Sequence, residues 1–192
     1  QQPVLDVATG LAGFSRIYSW PENFPLLVLS DSEPFIVSGL SHYLQLTGKK
    51  NVLLVDADFP SKPPYGMKFG FIIVNKFLHH LRRKDRVNFL KWSGSVLELD
   101  GVLEILDTDL EHHIIDQSLK PEFKNKLTTG YLKTLIEIES DYTDTLRCDV
   151  EDAGFRITHF ECREYFDETD AFSQNPGDMI SLKFKGLEIF AE

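Results

Sequence analysis

The sequence has little cysteine, no long apolar run and a deficit of positive charge. Its two cysteines, Cys148 and Cys162, are too few for a disulfide framework and lack the spacing of a zinc site. They are expected to be reduced thiols, which points to a cytoplasmic protein. No apolar run is longer than four residues, as in Phe71–Val74, so no membrane-spanning helix is expected. No signal-peptide pattern, internal repeat or low-complexity tract is visible. Lysine and arginine number 20 against 30 acidic residues, a formal net charge of −10. An acidic surface repels phosphate backbones, which makes nucleic acid an unfavourable partner. The one local basic run, Arg82-Arg83-Lys84 with Arg86, reads as a solvated helix face.

What is present fits one soluble domain. The chain has 192 residues, 42% hydrophobic and 26% charged, enough for a core without covalent staples. Strand-like runs occur at Val4–Ala8, Leu26–Ser30, Asn51–Val55, Phe69–Val74 and Val102–Leu106, the last entered through an Asp100-Gly101 turn. Helical spacing lies between them: Leu11–Trp20, a segment from Pro34 to Gly48, and Phe77–Leu97. Further helices are expected at 121–139 and 141–153. Phe155–Arg163 and Met179–Phe190 alternate as a closing pair of strands. The fold class expected is α/β: a doubly wound, mostly parallel seven-stranded sheet with an antiparallel C-terminal edge strand. It forms a single domain over residues 1–192, with any N-terminal cap helices outside this chain.

In such sheets ligands bind beyond the carboxyl ends of the strands. The first strand carries Asp6 and ends on Ala8-Thr9-Gly10, small residues that let a ligand approach the backbone. The G-x-G-x-x-G pattern of a pyrophosphate site is absent, and a carboxylate at Asp6 suits a cationic amine instead. Asp31 and Ser32 follow the second strand, where a carboxylate can accept from a ribose diol; either residue also suits a helix cap. Asp56 and Ala57 follow the third strand, placed for an adenine amine, and Asn75 follows the fourth.

These pieces resemble the class I methyltransferase family, with a flavour closest to its quinone-type and small-molecule O-methyltransferase members. VLDVATG (4–10) resembles the glycine-rich first motif, and LVLSDSEPFIVSGL (27–40) the second strand with its ribose-binding acid. NVLLVDADFP (51–60), FGFIIVNKFLHHL (69–81), LELDGVLEILD (97–107) and DVEDAGFRITHF (149–160) are similar to later motifs, in the family's order. The resemblance implies S-adenosylmethionine as cofactor. Asp6 with Ala8, Thr9 and Gly10 would cradle its methionine part. Asp31 and Ser32 would meet the ribose, Asp56 and Ala57 the adenine, and Asn75 the sulfonium region. The chain departs from the family at Ala8 and Ala12, where glycine is usual.

His79 is the candidate catalytic residue, because an imidazole titrates near neutrality and suits removal of a phenolic proton. The cluster Asp107, Asp109, Glu111, His112 and His113 reads as a solvated acidic loop, and no metal is assigned to it. Tyr18, Trp20, Tyr65 and Tyr131 are either core or lining for an aromatic acceptor. The expected function is methyl transfer to a small-molecule or protein acceptor. The alternative is a methyltransferase-like binding subunit without catalysis.

Overall fold

The computed structural model describes residues 2–57, 66–109, 142–169 and 180–192. The strands are β1 (Val4–Val7), β2 (Leu27–Asp31), β3 (Val52–Asp56), β4 (Phe69–Asn75), β5 (Leu97–Asp109), β6 (Ile157–Thr169) and β7 (Ile180–Ala191). The helices are α1 (Ala12–Ser19), α2 (Pro34–Thr47), α3 (Arg83–Val96) and α4 (Tyr142–Asp152). The expected 121–139 helix lies outside the described residues. One seven-stranded sheet has the order β3-β2-β1-β4-β5-β7-β6. β1 through β5 run parallel, and β7 is antiparallel to both β5 and β6. The antiparallel strand is thus inserted between β5 and β6, with β6 at the edge.

Burial on both faces explains the apolar strands. All five residues of β2 are buried, and β1 buries Leu5, Asp6 and Val7. Successive side chains point to opposite faces, so each strand feeds two cores. On one face Leu5, Val7 and Val28 pack with Phe89 and Leu90 of α3 and Leu146 and Val150 of α4. On the other, Leu27 and Leu29 pack with Ile17 of α1 and Leu40 of α2. Asp6 shares this second face, because its register partner is Leu29. Gly13 lies where α1 meets α2. A Cβ there would stand 2.9 Å from Leu40 Cδ1, so only glycine allows that approach without a shift.

Two boundaries differ from the sequence reading. The expected helix Phe77–Leu97 is divided into a 3₁₀ turn, Leu78–His80, and α3, because Leu81 and Arg82 are extended between them. The Asp100-Gly101 turn does not start the strand: β5 already begins at Leu97, and its regular ladder with β4 resumes at Val102 after an irregular stretch. The register with β4 shifts between Phe69 and Phe71, and a Cβ on Gly101 would lie 3.0 Å from the Phe69 carbonyl oxygen. Glycine there permits a bulge instead of a turn. α2 stops at Gly48, whose left-handed φ of 64° ends the helix as expected.

Candidate functional site

The chain order reverses around β1, which lies between β2 and β4. This is the topological switch point of an open α/β sheet, where the strand ends leave a crevice. Asp6, Asp31, Asp56 and Asn75 all come from the carboxyl-terminal halves of β1 to β4.

Asp6 is 1% exposed. Its Oδ2 accepts a hydrogen bond from the Thr9 hydroxyl at 2.9 Å and faces the Arg16 guanidinium of α1. Its Oδ1 is buried with no hydrogen-bond partner among the described residues. Burial raises the Asp6 carboxyl above the ordinary range, with Arg16 and Thr9 pulling in the opposite direction. Arg16 belongs to no sequence motif, and only the fold brings it against Asp6. The half-buried Glu104 of β5 is likewise pushed up by burial and held back by Arg16.

Asp31 closes the site across two strands. Its Oδ2 accepts from the Gly10 N–H at 2.8 Å, and its Oδ1 accepts from the Glu33 N–H at 2.9 Å. The second bond is a local side-chain turn, not a helix cap: Glu33 holds the cap position of α2, without a side-chain bond. Ser32 is exposed. Gly10 and Ala8 both have positive φ, 53° and 50°. The turn therefore asks Ala8 for a conformation that glycine adopts freely and alanine adopts at a cost of about 1 kcal/mol. Ala12 is the exposed first residue of α1. Asp56 is the register partner of Asp31 and is exposed, whereas Ala57 is buried and donates its N–H to the Asp31 carbonyl at 3.0 Å.

Asn75, half-buried, ends β4, and Lys76 turns the chain out of the sheet with φ of 51°. The 3₁₀ turn then buries His79 against β5. His79 Nδ1 lies 2.5 Å from Asp107 Oδ1, and the His79 N–H donates to Asp107 Oδ2 at 3.2 Å. Asp107 is 3% exposed. The carboxylate thus grips both the ring and the backbone of one residue. Such a grip favours the tautomer with a proton on Nδ1 and leaves the Nε2 lone pair available. The His80 ring lies 4.0 Å from the His79 ring, centroid to centroid. Burial lowers the His80 pKa, and His79 adds to the effect.

Other expectations sort differently. Arg86 is not on a solvated face. It is fully buried and binds Asp149 of α4 through Nε at 2.9 Å and a terminal nitrogen at 2.8 Å. Trp20 donates Nε1–H to the Pro25 carbonyl at 2.9 Å and, partly buried, packs against the core, and Tyr18 is 78% exposed. Tyr65, Tyr131, Glu111, His112 and His113 lie outside the described residues. A cavity of about 420 Å³ bordered by Lys68, Gly94, Leu97 and Phe155 opens at the amino ends of β4 and β5, away from these groups. No helix among the described residues is long and apolar enough to cross a membrane.

No protein-family model and no curated protein matches the sequence. Solved structures do match its shape. A provisionally described methyltransferase from Bacillus halodurans aligns over 100% of this chain and 92% of its own, with a TM-score of 0.68 at 18% identity. An S-adenosylmethionine-dependent methyltransferase from Aquifex aeolicus aligns over 98% and 81%, with a TM-score of 0.59 at 21% identity. The [4+2]-cyclase SpnF aligns over 84% and 53%, with a TM-score of 0.58 at 14% identity. At such identities shape is what is shared, and a fold hosts more than one chemistry. The sheet order, the inserted antiparallel strand and these matches agree that the chain has the class I methyltransferase fold.

Proposed function

We propose that the chain is an S-adenosylmethionine-dependent methyltransferase acting on a small-molecule acceptor. The observation that carries this reading is the bond between the Asp31 carboxylate and the Gly10 N–H. It draws the acid that ends β2 onto the glycine turn after β1, where a nucleoside would lie across both. Each carboxylate oxygen has two lone-pair positions, so Asp31 keeps acceptor capacity for a ribose diol after its two backbone bonds.

The residues present fit the cofactor. The buried Oδ1 of Asp6 is an acceptor without a partner among the described residues, in the place proposed for the amino-acid end. Ala8, Thr9 and Gly10 would line that end with backbone. Ser32, Asp56 and Ala57 would flank the ribose and adenine, and Asn75 would border the reacting region. When bound, S-adenosylmethionine supplies a methyl group on a sulfonium centre, already activated for displacement. The protein's part is then mainly alignment, which can contribute roughly 7–11 kcal/mol.

His79 is proposed as the general base. Its Nε2 would take the proton of an acceptor hydroxyl while Nδ1–H stays bonded to Asp107, whose charge stabilises the imidazolium that forms. Incubating the protein with S-adenosylmethionine and a panel of phenols and small amines should give S-adenosylhomocysteine only when an acceptor is present. A protein that binds neither cofactor nor product in any of these mixtures would contradict the reading.

A further inference from the structure

We propose that His159, Glu161 and Glu188 form a binding site for a divalent transition ion, of which zinc is the type, on the outer ribbon of the sheet. This site lies on the outer strands β7 and β6, beyond β5 in the sheet order. It rests on no assumption about methyl transfer.

The three side chains share one face. His159 and Glu161 are two apart on β6, which puts both on the same side of the strand. Glu188 of β7 is the direct register partner of Glu161. Side chains so placed stand roughly 4.5–5.5 Å apart at Cβ, which lets their ends converge. They do converge: one ligand atom from each lies within 4.8 Å of the others. His159 Nε2 is 3.7 Å from Glu161 Oε2. Two ligands of a tetrahedral zinc ion, each about 2.0–2.1 Å from the metal, sit about 3.3–3.4 Å apart. A shift of a few tenths of an ångström would bring this pair to ligating distance.

Two features argue for a cation between them. Like charges directly opposite in an antiparallel pair are destabilising, and Glu161 against Glu188 is such a pair. A divalent ion held by both carboxylates and the imidazole would relieve that repulsion. In addition, the register of β6 shifts between Ile157 and His159. An extra residue at that point re-aims the side chains that follow. The bulge therefore sets which face His159 takes, and it takes the face of both glutamates. The His159 ring is also held by the Phe190 ring, at 5.6 Å between centroids.

The donor set selects the metal. One imidazole and two carboxylates suit zinc and its neighbours, whereas calcium and magnesium prefer oxygen throughout. Three protein ligands leave a fourth position for water. An ion held here joins β6 to β7 through side chains, beyond their backbone ladder.

The test is calorimetric titration of the whole chain with zinc chloride, repeated on His159→Ala, Glu188→Gln and His79→Ala. The proposal predicts one zinc ion per chain. It predicts affinity about tenfold lower or worse in His159→Ala and Glu188→Gln, and unchanged stoichiometry in His79→Ala. Calcium chloride at the same concentrations should not compete. Melting curves without metal check that the variants fold, and His159→Gln replaces the alanine variant if they show it does not. Saturable zinc binding should raise the melting temperature of the parent more than that of His159→Gln. The proposal is overturned by absence of saturable zinc binding, by full affinity in both His159 variants, or by loss of the ion in His79→Ala instead.

Discussion

His79 and Asp107, 28 residues apart in the chain, meet at 2.5 Å between the ring Nδ1 and the carboxylate Oδ1, and the same carboxylate takes the His79 backbone N–H. An amide in its place keeps the volume but presents a donor, which disfavours the Nδ1–H tautomer. Asp107→Asn should therefore lower kcat by about a hundredfold or more, the scale of general acid–base catalysis. Affinity for S-adenosylmethionine should stay within about twofold, since Asp107 is not among the residues proposed to hold it. Steady-state kinetics with a phenol acceptor, alongside calorimetry for the cofactor, separates the two effects. Equal losses in both would mean that Asp107 supports the whole site and not the base.

The raised carboxyl of Asp6 makes a prediction about pH. A group whose folded pKa exceeds its unfolded value adds most to stability below the unfolded pKa. That contribution is lost as pH rises through the folded pKa. Burial is the main cause of the shift, so the ionised form carries the penalty at neutral pH. Asp6→Asn removes that titration. The stability of the variant relative to the parent should therefore be higher at pH 7 than near pH 4, in chemical denaturation at both values. A difference that does not change with pH would show that Arg16 and Thr9 fully offset the burial.

Asp149 joins α3 to α4 by accepting from Arg86, which is wholly buried, and from Arg83. Removing one partner of a buried ion pair leaves the other without its counter-ion. Asp149→Ala should cost about 3–5 kcal/mol in urea denaturation. An apolar pair of similar volume, Arg86→Met with Asp149→Leu, should recover much of that loss. If Asp149→Ala costs under about 1 kcal/mol, the pair is not a determinant of how the helices dock.

Ala8 tests the turn itself. Its φ of 50° is accessible to glycine and costly for a β-branched residue. Ala8→Gly gives up strain but adds chain entropy, so stability should change by less than about 0.5 kcal/mol. Ala8→Val should destabilise by more than about 1 kcal/mol. Thermal melts of both variants check the pair, and an Ala8→Val variant as stable as the parent would contradict the left-handed turn.

Much of the fold was legible because burial writes itself into composition. Strands such as Phe69–Asn75 are apolar almost throughout, and Gly48 marks a helix end. The acids at the strand ends were legible for the same reason: a carboxylate closing an apolar run stands out. What was hidden depends on contacts between distant residues. Nothing near Arg16 or Arg86 in the sequence announces their partners, since arginines at helical spacing look alike whether solvated or buried. The pairing of His79 with Asp107 needs β4 and β5 to be neighbours in register, which the fold alone supplies. The place of β7 inside the sheet follows from pairing, and alternation along a strand does not reveal its neighbours. The helix expected across 77–97 failed at Leu81-Arg82 because apolar spacing continued while the backbone extended.

The central claim is that the crevice bounded by Asp6, Gly10 and Asp31 binds S-adenosylmethionine, and calorimetric titration of the parent chain and Asp31→Ala tests it most directly. The account predicts saturable binding of S-adenosylmethionine and S-adenosylhomocysteine to the parent, weakened about tenfold or more by Asp31→Ala, because hydrogen bonds to a charged acceptor are each worth about 1.5–3 kcal/mol. Absence of binding to a folded parent chain, or equal affinity in the folded variant, would contradict it.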